Sequence, residues 1–226
     1  MTPLYHDFAG ETVVVFGGGS VGSRKARGFD DAARVVVVSP AFDERLRSFA
    51  GGRGGDGDSD GAVELVCAAP SPDDVAGWLD RLDPALAVAA TDDAAVNAAA
   101  ESAALDRGIL VNRTDVSGGR DAGSVVVPAT IEDDPVTVAL STGGTSPALA
   151  KALRERIEAE IEGAGEMAAL SGEIREELKS AGVAPEKRRE AVRRVVRSRG
   201  VWKGLQKGRS NGRKEADTVI EGVLDR

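Results

Sequence analysis

A glycine-rich stretch near the start of the chain, VVVFGGGSVGSRKA at residues 13–26, constrains the fold more than any other feature. The apolar run at 12–16 has the composition of a buried strand, and a helical pattern follows at about 21–31. Between them, Gly17, Gly19 and Gly22 have the G-x-G-x-x-G spacing, which allows a tight turn, backbone approach to a pyrophosphate, and close helix–strand packing. The stretch therefore predicts dinucleotide binding, and the alternative is a tight glycine turn without a ligand.

The first half of the chain alternates between short β-branched runs and helical patterns. The predicted strands are residues 12–16, 34–39, 63–68, 85–91 and 109–112, and helical patterns occupy 21–31, 42–49, 71–82 and 93–108. Strands that are apolar on both faces belong to parallel sheets covered by helices on each side. Residues 1–112 are therefore predicted to form an α/β domain, a Rossmann-like doubly wound parallel sheet that binds NAD.

This rhythm ends after residue 112. SVVVPATI (124–131) and PVTVALST (135–142) predict a β-hairpin, and 146–162 predicts a helix with Ser146 as its N-cap. Helical patterns dominate from residue 163 to 226. We expect a hairpin-plus-helix region at 113–162 and a C-terminal helical region at 163–226.

Composition excludes several classes of site. The 226 residues include one histidine (His6), one cysteine (Cys67) and a net charge of −8. A disulfide framework, a Cys-rich metal cluster and a histidine-centred triad are therefore excluded, and no metal site is predicted. Acid–base chemistry must fall mainly to carboxylates, hydroxyls or the substrate, and we expect Cys67 to lie in the core.

The charge and hydropathy also bear on partners and location. The acidic first part argues against nucleic acid as a ligand, and no apolar run is long enough for a membrane span. The N-terminus lacks the pattern of a signal peptide, so a cytoplasmic location is expected. High acid and low lysine content (7 lysines against 22 arginines) suggest adaptation to a salty cytosol.

The second predicted strand ends in a hydroxyl rather than an acid. Ser39, followed by Pro40, stands where a dinucleotide-binding fold usually places the Asp or Glu that binds the ribose. No arginine follows immediately to hold a 2′-phosphate, so the sequence favours NAD over NADP. Asp43 is a substitute acid or, equally, a first-turn acid of the next helix.

Polar residues also follow the fourth and fifth predicted strands. Thr91 and Asp92 are expected to line the cofactor cleft, although an aspartate there can instead cap the next helix. Asn112 and Asp115 follow the fifth strand, where Asp115 could move a proton, guide a metal, or serve only as a loop acid.

A second glycine-rich loop lies between the hairpin and the helix after it. Thr142, Gly143, Gly144, Thr145 and Ser146 offer amide N–H groups and hydroxyls at the start of that helix, which predicts an anion-binding loop. A well-capped helix start alone is the alternative, and the two are compatible.

Six segments, in order and at fitting spacing, resemble the N-terminal module of siroheme synthases, the precorrin-2 dehydrogenase family. They are GGGSVGSRKA, VVSP, AATDDAAVN, GILVNRTD, VVVPATI and VALSTGGTSPALAKALRERIE. The resemblance covers residues 3–160 and is loose beyond them. The segment between Asp115 and Pro128 departs from the family in length and composition, which leaves the role of Asp121 open.

The resemblance implies NAD-dependent oxidation of precorrin-2 to sirohydrochlorin in siroheme biosynthesis. Some members also insert Fe²⁺ as sirohydrochlorin ferrochelatases, and the resemblance does not decide this step here. It implies a tetrapyrrole substrate that contacts Asn112 and the loop 142–146, and a homodimer built by the hairpin region. The family's catalytic aspartate falls on Asp115, and its NAD contacts fall on Gly19, Ser20, Val21, Ser39, Pro40, Thr91 and Asp92. An NAD-sensing regulatory module without tetrapyrrole chemistry is the alternative from a different class.

Overall fold

The computed structural model describes residues 2–52, 62–116 and 124–225. The chain divides into two compact units, Met1–Val127 and Pro128–Arg226. The described residues at 113–116 and 124–127 thus belong with the first unit, although the sequence pattern changes at residue 112. Each unit has its own core.

The first unit is a five-stranded parallel sheet in the order β3-β2-β1-β4-β5. Its elements are β1 (Thr12–Phe16), α1 (Ser20–Ala26), β2 (Arg34–Ser39), α2 (Glu44–Gly52), β3 (Ala62–Cys67), a 3₁₀ turn (Pro72–Asp74), α3 (Val75–Leu82), β4 (Leu86–Ala89), α4 (Ala94–Asp106) and β5 (Leu110–Arg113). The chain moves outward from β1 to β3 and then returns to the other side of β1 at β4. The predicted Rossmann-like doubly wound sheet is confirmed.

Both faces of the sheet are covered, which explains the continuous apolar strands. Val14 and Phe16 of β1 pack in one core cluster, and Val13 and Val15 pack in the other. All four are fully buried. Because full burial of such a side chain contributes about 1.5–3 kcal/mol, strand β1 is a main source of this unit's stability.

The predicted strand at 124–131 does not exist as one element. Ser124 makes an isolated bridge to Val111, and the Val125 N–H donates to the Val111 carbonyl at 2.7 Å, so this end extends the large sheet. Pro128 follows and has no N–H for a ladder. Strand pairing begins again only at Ala129, and the boundary between the two units falls within the predicted strand.

The second unit contains an antiparallel hairpin and five helices within its described residues 128–225. They are β6 (Ala129–Asp133), β7 (Val136–Leu140), α5 (Pro147–Ile161), α6 (Ala164–Ser180), α7 (Pro185–Arg197), α8 (Arg199–Gln206) and α9 (Arg209–Leu224). The predicted hairpin and helical region are confirmed as elements.

The core of the second unit lies between α6, α7, α8 and α9. Ile174, Val195 and Ala216 are fully buried in it. A Cβ atom on Gly204 would lie 2.9 Å from the Gly212 Cα atom, so two glycines let α8 and α9 approach closely. In the described part of the chain, no helix combines the length and apolar character needed to cross a membrane.

Candidate functional site at the carboxyl edge of the sheet

Four segments with chemistry-bearing residues meet at one edge of the first unit. The sheet is parallel, so the carboxyl ends of β2, β1, β4 and β5 lie side by side in that order. The segments that follow these strands begin at Pro40, Gly17, Ala90 and Thr114. Ligands of open α/β sheets bind at this edge, where the strand order reverses.

Close contacts require glycine at two positions of the loop after β1 and at one position in the first turn of α1. Gly17 has φ +110°, and a Cβ atom there would lie 2.3 Å from the Ala90 carbonyl oxygen. A Cβ atom on Gly22 would lie 1.8 Å from the Gly17 oxygen, and one on Gly18 would lie 2.4 Å from the Ala41 oxygen. The loop therefore packs without side chains against both neighbouring strand ends. Gly18 was not part of the predicted motif, and its neighbours in space could not be read from spacing.

The outer side of the same loop is open. A Cβ atom on Gly19 would meet no atom within 4 Å, and Gly19 and Ser20 are exposed while Val21 is half-buried. Helix α1 begins at Ser20 without a side-chain cap and has no acidic residue in its first turn. The exposed backbone at Gly19 therefore leaves room for an anionic group.

The loop after β2 is tied to the glycine loop. Ser39 is buried, Pro40 is exposed, and the Asp43 N–H donates to the Gly18 carbonyl at 2.7 Å. The Asp43 carboxylate accepts from the Arg45 N–H at 2.9 Å, as the N-cap residue of a helix does. This bond supports the capping alternative for Asp43.

Cys67 lies at the end of β3, beside this loop. It pairs in register with Ser39, and its thiol donates to the Pro40 carbonyl with a sulfur–oxygen distance of 3.7 Å. Its side chain is exposed, so the expectation of a core position is wrong. Cys67 is the last residue of β3, which is the outermost strand of the sheet.

The turn after β4 is held by a buried amide. The Asn97 Oδ1 accepts from the N–H and the hydroxyl of Thr91 at 3.1 and 2.8 Å, and the Asn97 Nδ2 donates to the Thr91 carbonyl at 3.0 Å. Asp93 caps α4 by accepting from the N–H groups of Ala95 and Val96. Asp92 therefore does not serve as the cap, and its side chain is exposed beside Thr91.

An ion-pair network holds Asp115 after β5. Arg113 donates to both oxygens of Asp115, at 3.0 and 2.7 Å, and to Glu101 of α4 at 3.0 Å. The side chains of Arg113 and Glu101 are each 15% exposed, and that of Asp115 is 27% exposed. Such a planar, two-bond fork fixes the orientation of a carboxylate as well as its charge.

This network changes the acidity of Asp115. Hydrogen bonds from Arg113 hold the pKa of the Asp115 carboxyl below its ordinary range; a hydrogen bond from Asn97 acts in the same direction, and burial opposes both. The same contact with Asp115 raises the pKa of Arg113. Asp115 is therefore an ionised, oriented carboxylate that reaches solvent at the sheet edge.

Asn112 lies in the core rather than at the edge. It is 2% exposed, and its Nδ2 donates to the Val125 carbonyl at 2.7 Å. Its Oδ1 is buried and has no hydrogen-bond partner within residues 2–52, 62–116 and 124–225. This arrangement fastens the segment after residue 123 to β5 and keeps the Asn112 side chain away from solvent.

The loop at 142–146 belongs to the second unit and is largely exposed. The Ser146 hydroxyl caps α5 by accepting from the Leu149 N–H at 3.3 Å, and the Thr142 hydroxyl donates to the Ser146 carbonyl at 3.2 Å. The Thr145 hydroxyl donates to the Thr142 carbonyl at 2.6 Å, and Gly143 and Gly144 both have positive φ. Asp121 lies outside the described residues.

Sequence reasoning did not find the partners of Asp115. Asn97 and Glu101 are spaced i and i+4 on α4, so they share one face of an otherwise alanine-rich helix. That polar pair was the available signal, and Arg113 within NRTD was its counterpart. Among the described residues, no group of three or more His, Cys, Asp or Glu side chains is arranged to hold a metal ion.

Comparison with known proteins identifies the family. Residues 4–129 match the model of an NAD(P)-binding family, and residues 133–160 match the model described as "Sirohaem biosynthesis protein central". The chain is 30% identical to the precorrin-2 dehydrogenase of Methanosarcina barkeri over 223 residues, which are 98% of this chain and 94% of that protein. The chain belongs to the precorrin-2 dehydrogenase and siroheme synthase family.

Other members of the precorrin-2 dehydrogenase and siroheme synthase family extend the comparison. Siroheme synthase 1 of Aeromonas salmonicida is 33% identical over 222 residues, which are 96% of this chain and 44% of that protein. The chain thus spans less than half of this longer relative. The solved structure titled "SirC, precorrin-2 dehydrogenase" has a TM-score of 0.70 at 22% identity and covers 98% of this chain and 100% of that one, which confirms the fold.

Proposed function

We propose that this protein oxidises precorrin-2 to sirohydrochlorin with NAD as the hydride acceptor. The observation that carries the proposal is the Asp115 carboxylate, oriented by Arg113 at the same sheet edge as the open glycine loop. The protein's family membership and the name of the Methanosarcina barkeri relative support this reaction over a regulatory module that only senses NAD.

The residues at the sheet edge fit a dinucleotide. Gly19 leaves open space where a side chain would otherwise stand, and the first turn of α1 carries no acid that would repel a pyrophosphate. The cofactor contacts that we propose are Gly17, Gly19, Ser20, Val21, Gly22, Ser39, Pro40, Thr91 and Asp92. When bound, the cofactor supplies the acceptor for a hydride.

NAD is favoured over NADP by the residues after β2. Ser39 offers a hydroxyl, and the four residues that follow it are Pro, Ala, Phe and Asp43. A 2′-phosphate would need a cation near this strand end, whereas Asp43 brings a carboxylate to the same loop. We therefore expect discrimination against the phosphorylated cofactor.

Asp115 is the proposed proton acceptor. Loss of a hydride from precorrin-2 must be accompanied by loss of one proton, which the Asp115 carboxylate takes up. Arg113 and Glu101 orient that carboxylate, and Arg113 keeps it ionised before the proton arrives. Asn112 is buried and has no direct role with the substrate in this proposal; it positions the chain after β5.

The loop 142–146 is the proposed contact for substrate carboxylates. The substrate is a tetrapyrrole with many carboxylates, and Gly143, Gly144 and Thr145 are exposed before the N-terminus of α5. The N–H groups of Gly143 and Thr145 donate within the loop, to the Ser141 hydroxyl and the Thr142 carbonyl, so of these three residues it is Gly144 whose N–H is left for an anion within the described chain. Amide N–H groups at such a position attract anions. The hydroxyls of Thr142 and Thr145 hold the loop in shape.

We also propose a homodimer built by the hairpin and α5. Helix α5 has no buried residue along its 15 residues, and Leu149 at its start is 52% exposed. The two-stranded sheet of β6 and β7 leaves both of its strand edges unpaired within the described chain. An isolated two-stranded hairpin has marginal stability. A second copy of the chain would cover Leu149 and pair with the strand edges.

An absorbance assay tests the reaction. Purified protein with precorrin-2 and NAD should form sirohydrochlorin, and Asp115→Ala should lower the rate by about 100-fold or more while NAD still binds. Asp80→Ala is the control for loss of a carboxylate that an arginine holds outside the sheet edge, because Asp80 pairs with Arg107. Undiminished turnover by Asp115→Ala would remove its role, and NAD binding without any turnover would favour the sensing module. Addition of Fe²⁺ after the first step then measures iron insertion.

A further inference from the structure

Helix α6 presents acids to one neighbouring helix. Arg213 of α9 donates to both oxygens of Glu177 at 2.7 and 2.6 Å, and Arg209 of α9 pairs with Glu173. Hydrogen bonds from Arg213 hold the pKa of Glu177 below its ordinary range. On this side, each arginine of α9 that faces α6 therefore has a carboxylate opposite it.

The side of α6 that faces α7 has the opposite character. A groove of about 590 Å³ separates the two helices here, lined by five cations, one carboxylate and two apolar residues. They are Arg175, Glu176, Lys179, Pro185, Arg188, Arg189, Val192 and Arg193. We call this the arginine groove. It places cations of α6 opposite cations of α7 in a chain whose net charge is −8.

Three of the five cations in the arginine groove form no ion pair in the described part of the chain. Lys179 pairs with Glu176 at 3.1 Å, and Arg193 pairs with Glu190 of its own helix. Within residues 2–52, 62–116 and 124–225, Arg175, Arg188 and Arg189 form no ion pair. Like charges that face each other across a groove repel, and an anion bound between them would remove that cost.

The chemistry of the groove indicates what kind of anion it takes. Guanidinium groups bind carboxylates through two parallel hydrogen bonds, and Pro185 and Val192 add apolar surface between the charges. A ligand with an apolar body and peripheral carboxylates matches both features. A nucleic acid backbone would use the cations and leave the apolar residues without a partner.

We propose that the arginine groove is a second binding site for a polycarboxylate tetrapyrrole, the class to which the substrate and product belong. The choice of this ligand class rests on the proposed function. None of the residues that line the groove belongs to the sheet edge or to the loop 142–146. The groove would hold tetrapyrrole that is not undergoing oxidation and keep it close to the enzyme.

Fluorescence titration with an octacarboxylate porphyrin tests this proposal on the full chain. Wild-type protein should bind two equivalents per chain, one at the proposed catalytic site and one in the groove. The triple variant Arg175→Gln/Arg188→Gln/Arg189→Gln should bind one, with the affinity of the groove lowered at least about tenfold. Lys203→Gln/Lys207→Gln/Lys214→Gln removes equal charge from α8, its C-cap and α9, and it should still bind two.

The outcomes separate the two proposals. If the proposed function is wrong, wild type should bind one equivalent and the arginine variant none. The groove proposal is overturned if the arginine variant binds as wild type does, or if a dicarboxylate porphyrin binds the groove equally well. Displacement of the porphyrin from the groove by equimolar duplex DNA would likewise overturn it in favour of a nucleic acid. Thermal melting should show the arginine variant at least as stable as wild type, because its like charges are gone.

Discussion

At the scale of single residues, the proposed proton acceptor is a strongly held carboxylate. The fork from Arg113 ensures that Asp115 is ionised, but a carboxylate with a lowered pKa is also a weaker base. Orientation and charge are therefore gained at the expense of basicity. Arg113 also pairs with Glu101, so one guanidinium serves two carboxylates.

Replacement of Arg113 should shift the acid limb of the pH profile. Hydrogen bonds from Arg113 lower the Asp115 pKa, so wild-type kcat/KM should persist below the ordinary carboxylate range and fall only at lower pH. In Arg113→Leu the pKa of Asp115 rises, so the loss of activity on acidification should begin at a higher pH than in wild type.

A matched control exists in the same unit. Arg107 makes an equivalent fork to Asp80, at 2.7 and 3.1 Å, between α4 and α3. Arg107→Leu should leave the pH dependence of kcat/KM unchanged. An identical acid limb in Arg113→Leu and wild type would contradict the positioning role of Arg113.

Asp115 was predictable at this scale, and its partners were not. Its place follows from a strand end and from the resemblance of NRTD to the family motif. The helix pattern at 93–108 predicts only a buried apolar face, and the contacts of Asn97 and Glu101 depend on how α4 packs on β5. Such packing is a tertiary property that spacing along the chain does not contain.

At the scale of elements, the glycine loop separates structural from functional glycines. Gly18 and Gly22 are packed against backbone atoms, whereas Gly19 faces open space. Glycine thus allows close packing at Gly18 and Gly22, and at Gly19 it leaves space for a ligand. Substitutions at these positions should have different consequences.

Gly19→Ala should impair cofactor binding without impairing the fold. The added methyl group meets no protein atom within 4 Å, so the melting temperature should stay close to that of wild type. It would occupy space proposed for the pyrophosphate, and the dissociation constant for NAD should rise at least about tenfold. Calorimetric titration measures this change.

Gly18→Ala provides the contrast. Its methyl group would lie 2.4 Å from the Ala41 carbonyl oxygen, so the loop must shift and the free energy of unfolding should fall by about 1–3 kcal/mol. If Gly19→Ala destabilised the protein as much as Gly18→Ala, the loop would not be open as described.

Two strands that consist mainly of β-branched residues were predicted with correct bounds. Strands β1 and β2 have the bounds expected from their β-branched runs, because both faces are buried and the valines inside each strand must be apolar. The run at 124–131 is equally apolar, yet it serves two separate sheets. Its division depends on the pairing of Val125 with Val111, which is not visible in local composition.

At the scale of the whole molecule, charge should make stability depend on salt. The net charge of −8 favours expansion through self-repulsion, which salt screens. Salt also weakens the exposed pairs between α6 and α9, but each such pair contributes only about 0–1 kcal/mol. We therefore expect the melting temperature to rise between low and molar KCl, and an unchanged or lower value would contradict salt adaptation.

The apolar surface of α5 should govern assembly. Leu149→Glu/Leu153→Glu introduces charge on the helix that has no buried residue, so the proposed homodimer should dissociate. Light scattering should then report half the mass of wild type. Leu4→Glu is the control, because Leu4 is 86% exposed in the first unit and should not affect the mass. A wild-type monomer would rule out this assembly.

The exposed position of Cys67 has a practical consequence. It is the only thiol of the chain, and it lies beside Ser39 and Pro40 at the end of β2, the strand next to β1. A maleimide dye would therefore attach at one point per molecule, with no substitution needed beforehand. The fluorescence emission of the dye should change when the dinucleotide binds and should not change when tetrapyrrole alone is added. The protein thus carries its own attachment point for an optical sensor of cofactor occupancy.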